Sequence, residues 1–109
     1  MAYDATQGVL RVARARLILR RKWTDERGNL YETVIWKIER SALYPEAVRY
    51  RLAFIRSGEE KPALLYDNHH PKGHHRHVGT DEEPYSFVTA RKLVADFLAQ
   101  ATALAGEVK

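Results

Sequence analysis

Five histidines, His69, His70, His74, His75 and His77, are all the histidines of a 109-residue chain, and they fall within the stretch YDNHHPKGHHRHVG at residues 66–79. Imidazole ligates transition metals, and it also gives and takes protons near neutral pH. As metal ligands, His75 and His77 stand two residues apart, so an extended backbone points both rings to one face. A third ligand would come from His69, His70, Asp67 or Asp81. No spacing in the segment matches a recognised zinc motif such as H-E-x-x-H, so neither a metal nor another cofactor is expected. As proton carriers, the same two rings beside Lys72 and Arg76 meet the needs of RNA chain cleavage. That reaction takes a base for the 2′-hydroxyl, an acid for the departing 5′-oxygen and cations near the phosphate. Arg49 and Arg51 extend the set of cations. The plainer reading is a polar loop in which Asp67-Asn68 makes a turn and the rings are solvated.

The elements that would position these groups follow from periodicity. Val9 to Arg20 alternates from Ala13 onward, with Ala13, Ala15, Leu17 and Leu19 opposite Arg14, Arg16, Ile18 and Arg20. The turn chemistry of Thr24 to Asn29 leads into Leu30 to Arg40, where Val34, Trp36 and Ile38 share a face. After a connection containing Pro45, Ala47 to Arg56 sets Val48, Tyr50, Leu52 and Phe54 against Arg49 and Arg51. Ser57 to Glu60 closes a second hairpin, and Lys61 to Asp67 supplies a fourth strand that Pro62 places at an edge or begins. From Ala90 the period changes: Ala90, Leu93, Val94, Phe97, Leu98, Ala101 and Leu104 recur at helical spacing, with Thr89 as N-cap and Gly106 as the stop. The expected fold is α+β, a four-stranded antiparallel meander with one C-terminal helix packed on one face, spanning residues 1–109 as a single domain.

In such a sheet Arg14, Arg16, Arg20, Arg49 and Arg51 gather on the face that the helix leaves open. Val9 to Lys22 holds six basic residues and no acid. The local field there exceeds what a net charge of +4, from 18 Lys and Arg against 14 acids, would give if spread evenly. Arginine forks hold phosphate oxygens in pairs, so the face suits nucleic acid or an acidic partner. A solvated sheet face covered by long arginine stems is the bland alternative, and Glu32 is placed to neutralise part of the charge.

Composition sets the outer limits. With 45% hydrophobic and 29% charged residues the chain is ordinary globular material, and its length allows one small core. The absence of cysteine excludes disulfide frameworks, thiolate zinc sites and cysteine nucleophiles. No apolar run exceeds four residues, and the first residues lack a signal-peptide pattern, so a soluble cytoplasmic protein is expected.

The string Tyr66-Asp67-Asn68, then Lys72-Gly73, then His75-Arg76-His77, followed by Glu83-Pro84-Tyr85-Ser86-Phe87 and a helix with Asp96-Phe97-Leu98, resembles the TumE family of bacterial toxin-antitoxin proteins. Members of that family keep a Y-D-N-x-x-x-K-G-x-H-R-H pattern and a P-Y-x-F segment ahead of a final helix with D-F. The likeness covers the last half of the chain closely, and the earlier strands, with Trp36 and Tyr50-Arg51-Leu52, more loosely. It implies the toxin of a type II system and a protein antitoxin of the helix-turn-helix kind, and RNA is the target inferred for a toxin of this sort. By motif position Asp67, Asn68, Lys72, His75, Arg76 and His77 match. Position 74 departs, because an acidic residue commonly precedes H-R-H, and His69, His70 and Pro71 also depart; those three histidines are therefore expected to have no obligatory role.

Together these readings give a small metal-independent endoribonuclease toxin. His75 and His77 are its acid/base pair, Lys72, Arg76, Asp67 and Asn68 surround them, and Arg14, Arg16, Arg20, Arg49 and Arg51 hold RNA. The competing expectation is a non-catalytic module whose arginine face binds nucleic acid or a partner protein.

Overall fold

In the computed structural model, which describes residues 15–69 and 71–107, the chain is an antiparallel meander closed by one helix. The strands are β1 (Arg16–Thr24), β2 (Leu30–Lys37), β3 (Val48–Ile55), β4 (Leu64–Asp67), β5 (His75–Val78) and β6 (Asp81–Pro84), and the helix is α1 (Ala90–Ala105). The sheet runs in the order β1-β2-β3-β4-β5-β6, so it has six strands where the sequence predicts four. The two extra strands come from the histidine segment and the acidic run after it. His75-Arg76-His77-Val78 and Asp81-Glu82-Glu83-Pro84 have the composition of a loop, and intrinsic strand preference does not find them. They extend because β4 offers an unpaired ladder and Gly79, at φ +61°, permits the tight turn between them. Pro84 lacks an N–H and stands at the end of the edge strand, where none is needed. Strand one also lies further along than expected: it ends at Thr24, not Arg20, and the part of the run before residue 15 lies outside the described residues.

Turn chemistry ties the sheet's end together. Asp25 Oδ1 accepts the backbone N–H groups of Arg27 (2.9 Å) and Asn29 (3.0 Å), and its Oδ2 accepts from Tyr31 Oη (3.0 Å). Asn29 Oδ1 in turn accepts from Ser57 N (3.0 Å), which links this hairpin to the next. The side chain of an aspartate replaces backbone partners here, as it does in an Asx turn.

One face of the sheet is buried by α1. Tyr31, Ile35, Tyr50, Leu52, Phe54, Leu64 and Tyr66 form it, and Leu93, Phe97 and Ala101, all with no exposed surface, close it from the helix. Phe97 meets Tyr66 edge-on at 5.8 Å, and Trp23 stacks on Tyr31 at 5.0 Å. Both helix ends are as the sequence predicts. Thr89 Oγ1 accepts from Lys92 N at 3.1 Å, and Gly106 N donates to Thr102 O at 3.1 Å. The last turn of α1 carries no basic side chain of its own. The sheet supplies the cations: Arg27 donates to the Ala105 carbonyl, and Arg56 donates to that of Leu104 (3.2 Å), where the negative end of the helix dipole lies. Among the described residues no helix is long and apolar enough to cross a membrane.

Candidate active site on the open sheet face

Strand alternation decides which motif residues meet. On β3, Val48, Tyr50, Leu52 and Phe54 face the helix, so Arg49 and Arg51 point to the open side. Register then carries that side across the sheet. One cross-strand row runs Arg20, Val34, Arg51, Asp67, His75 and Pro84, and the next runs Lys22, Glu32, Ala53, Leu65, His77 and Glu82. A third pairs Leu17 with Trp36 and Arg49. The two motif histidines therefore share a face with Arg20, Lys22, Arg49 and Arg51, and with Trp36.

Arg16 does not join them. A register shift between Leu17 and Leu19 leaves Ile18 unmatched and inverts the alternation, so Arg16 pairs with Lys37 on the other side from Arg20. Arg14 lies outside the described residues. Glu32 bridges the basic face as its position suggests, 3.6 Å from Lys22 Nζ and 3.4 Å from Arg51 NH1. Four cations, Arg20, Lys22, Arg49 and Arg51, still outnumber the three carboxylates of Glu32, Asp67 and Glu82 in these rows. Between them lies a shallow concavity of about 350 Å³ lined by Val34, Trp36, Arg49, Tyr50, Arg51, Asp67 and His69. Arg20 stacks over Trp36, 5.7 Å from the ring centroid.

His75 is the most constrained group on the face, with 6% of its surface exposed. Its Nδ1 donates to the Gly73 carbonyl at 2.8 Å, and its Nε2 lies 3.1 Å from Asp67 Oδ1. Gly73 has φ +74°, a backbone conformation that glycine adopts without a Cβ penalty, and this turn aims its carbonyl at the ring two residues on. Both partners of His75 are acceptors, so the ring satisfies both only by donating from each nitrogen. His77 stands edge-on to His75, with ring centroids 4.9 Å apart and planes at 81°. Among the described residues its ring nitrogens hold no hydrogen bond, and it is the more available of the pair.

Lys72 reaches Glu82 Oε1 at 2.8 Å, across the β5–β6 hairpin from the two rings. The Lys72 ammonium holds the Glu82 carboxyl below its ordinary range, and His77 and His75 push in the same direction. His75, His77 and Glu82 also bring one ligating atom each within 4.8 Å of one another.

Arg76 and Asn68 lie elsewhere. Arg76 projects between the two histidines to the helix side, where its Nε donates to Glu83 (2.7 Å) and its NH1 to Tyr66 Oη (3.1 Å). Tyr66 Oη donates onward to Gln100 of α1 at 2.6 Å, so Arg76 belongs to the joint between sheet and helix. Asn68, 3% exposed, accepts the Tyr50 N–H (3.0 Å) and donates to the Val48 carbonyl (2.8 Å), which prolongs the ladder past the end of β4. Asn68→Ala would orphan both backbone groups, at a cost of about 1–3 kcal/mol each. Urea unfolding should show that loss, with Asn68→Asp, which keeps the acceptor, falling between; an Asn68→Ala protein as stable as wild type would contradict the clamp.

Two histidines outside the motif have partners. His74 packs against both Phe87 (5.0 Å, planes at 9°) and Tyr50 (5.7 Å), which also touch each other, with Nδ1 2.8 Å from Tyr50 Oη and Nε2 2.8 Å from Glu46 Oε1. That contact holds the Glu46 carboxyl below its usual range, and burial pushes the Tyr50 hydroxyl upward. His69 accepts from Arg49 NH2 at 3.1 Å on the rim of the concavity, and His70 lies outside the described residues. Trp36, which the sequence marks as an apolar member of its strand and a looser part of the family likeness but not as a site residue, stands on the open face; its register opposite Arg49 is the signal that finds it.

An antiparallel meander with one face sealed by a helix, and the other bearing cations, a tryptophan and a carboxylate-held histidine, defines a small α+β protein with a mainly basic open sheet face. The chain belongs to the TumE toxin family: the family model described as toxin TumE matches residues 4–104. A toxin of this family implies a partner antitoxin. No curated protein and no solved structure matches the chain.

Proposed function

We propose that this TumE-family toxin acts on RNA as a small metal-independent endoribonuclease of the cytoplasm, restrained in a type II system by a helix-turn-helix antitoxin. The observation that carries the reading is the sharing of two adjacent cross-strand rows by the His75–Asp67 pair, His77, Arg20 of β1 and Arg51 of β3, with Arg49 in the row beside them. Arg49, Arg51 and Arg20 take phosphate oxygens of the chain, and a base stacks on Trp36. His77 removes the proton of the 2′-hydroxyl as that oxygen attacks phosphorus. The phosphorus–O5′ bond breaks, and O5′ takes the Nε2 proton of His75, replacing Asp67 as its acceptor. The Gly73 carbonyl, accepting from Nδ1, fixes the orientation of that ring beforehand, as the carboxylate of a triad does on the nitrogen that does not react. Lys72 lies beside the phosphate as a further cation. The products are a 2′,3′-cyclic phosphate and a 5′-hydroxyl.

Binding has its own test. Removing both arginines in Arg49→Ala/Arg51→Ala should weaken binding of single-stranded RNA of any sequence. It should also flatten the dependence of log K on log salt by about 1.4, since each neutralised phosphate contributes about 0.7 on a single strand. Fluorescence anisotropy over a salt series measures both. An unchanged slope would remove these arginines from the RNA path. Salt-sensitive binding with no turnover would favour the alternative, a non-catalytic module that works through its arginine face.

A further inference from the structure

We propose that His75, His77 and Glu82 form a binding site for a divalent cation of the zinc class, and that an ion held there stops proton transfer by the two histidines. The binding half rests on geometry alone; the inhibitory half rests on the RNA-cleavage reading above.

The Gly73 carbonyl fixes a proton on Nδ1 of His75 at 2.8 Å. In the neutral ring this leaves the Nε2 lone pair directed at Asp67 Oδ1, 3.1 Å away. Two lone pairs at that distance repel unless a cation lies between or beside them, and both a proton and a metal ion meet the need. A ligating histidine whose other nitrogen donates to a backbone carbonyl is the usual arrangement at protein metal sites, because that bond sets the tautomer and the ring's direction. His77 and Glu82 stand opposite each other in the β5–β6 hairpin, and with His75 they place three ligating atoms within 4.8 Å of one another.

Small side-chain rotations of His77 and Glu82, both less buried than His75, would bring those atoms to coordination distance. Two imidazoles and one carboxylate suit zinc and its neighbours, whereas magnesium prefers an all-oxygen set. Lys72 competes for the site, since its ammonium already occupies Glu82 Oε1 at 2.8 Å. An ion on Nε2 of His75 and on the ring of His77 occupies the nitrogens that the cleavage reaction uses.

The test is calorimetric titration of ZnCl₂ into the untagged full-length protein, with circular dichroism to confirm that each variant is folded. One equivalent should bind to wild type, and His77→Ala and Glu82→Gln should each abolish stoichiometric binding. Both residues are more exposed than His75, so folding should survive. Lys72→Ala should tighten binding by freeing the carboxylate, a gain that scattered surface histidines would not show. MgCl₂ should give no comparable heat. Failure of wild type to bind zinc, or a full equivalent bound by His77→Ala/Glu82→Gln, overturns the site. In the cleavage assay, saturating zinc should halt RNA turnover and chelator should restore it; stimulation by zinc overturns the inhibitory half. Zinc binding by these residues with no RNA cleavage under any condition supports the site and sinks the RNA reading instead.

Discussion

His77→Ala lowers the rate of RNA cleavage by about 10²–10⁴-fold, the usual contribution of a positioned acid or base, and leaves the fold in place. His77 is the clean test because its ring nitrogens are not engaged among the described residues and its strand position tolerates a smaller side chain. His75 is a poorer probe: its ring is buried, and His75→Ala also discards the contacts to Gly73 and Asp67. The same substitution at 77 should release cells from growth arrest when the toxin is expressed without its antitoxin. Rates measured in single turnover, at equal RNA occupancy, separate the loss of chemistry from any loss of binding. A His77→Ala protein that cleaves at the wild-type rate would assign the chemistry elsewhere.

Phe97→Ala costs about 3–5 kcal/mol of stability, the range for deleting a buried phenylalanine. The helix is attached by one stripe, Leu93, Phe97 and Ala101, and Phe97 is its centre, fully buried and edge-on to Tyr66. Small domains are stable by only about 5–15 kcal/mol, so the loss is a third or more of the total for many of them. Tyr66 also carries the Arg76–Gln100 link, and a loosened α1 removes that anchor of β5 from below. Urea unfolding of the variant should show a lower midpoint with an unchanged slope. A change below about 1 kcal/mol, far under the core-deletion range, would mean that the helix does not hold the sheet as described.

The helix was legible because three independent signals coincide: a 3.6-residue stripe, Thr89 at its start and Gly106 at its end. The first three strands followed from alternation and the fourth from its short apolar run, and the H-x-H spacing placed His75 and His77 on one face. The phase of β2 was not legible. Val34-x-Trp36 and Tyr31-x-Thr33-x-Ile35 are both apolar enough to be the core face, and only pairing with Tyr50, Leu52 and Phe54 chooses the second. The side taken by Arg16 was hidden for a related reason, since one unmatched residue at Ile18 inverts the phase of Arg16 and Leu17. β5 and β6 were missed because their residues form strands through neighbours and not through preference. Within the motif, contiguity misled: Asp67 and Asn68 are adjacent, yet one faces the open site and the other clamps β3, and Arg76 lies between two site residues while serving the core.

The role of His74 could not be read from composition either. Its ring is placed by Phe87 and Tyr50 and its nitrogens by Tyr50 and Glu46, contacts 13 to 28 positions away along the chain. The histidine cluster thus divides within one segment: a joint at His74, and a candidate site at His75 and His77 on the open sheet face.

The measurement that bears most directly on the central claim is the chemistry of RNA ends after incubation with purified, antitoxin-free toxin in excess chelator. A 2′,3′-cyclic phosphate on one fragment and a 5′-hydroxyl on the other, lost in His77→Ala, is the predicted result. Intact RNA, or cleavage that appears only when metal is returned, would contradict it.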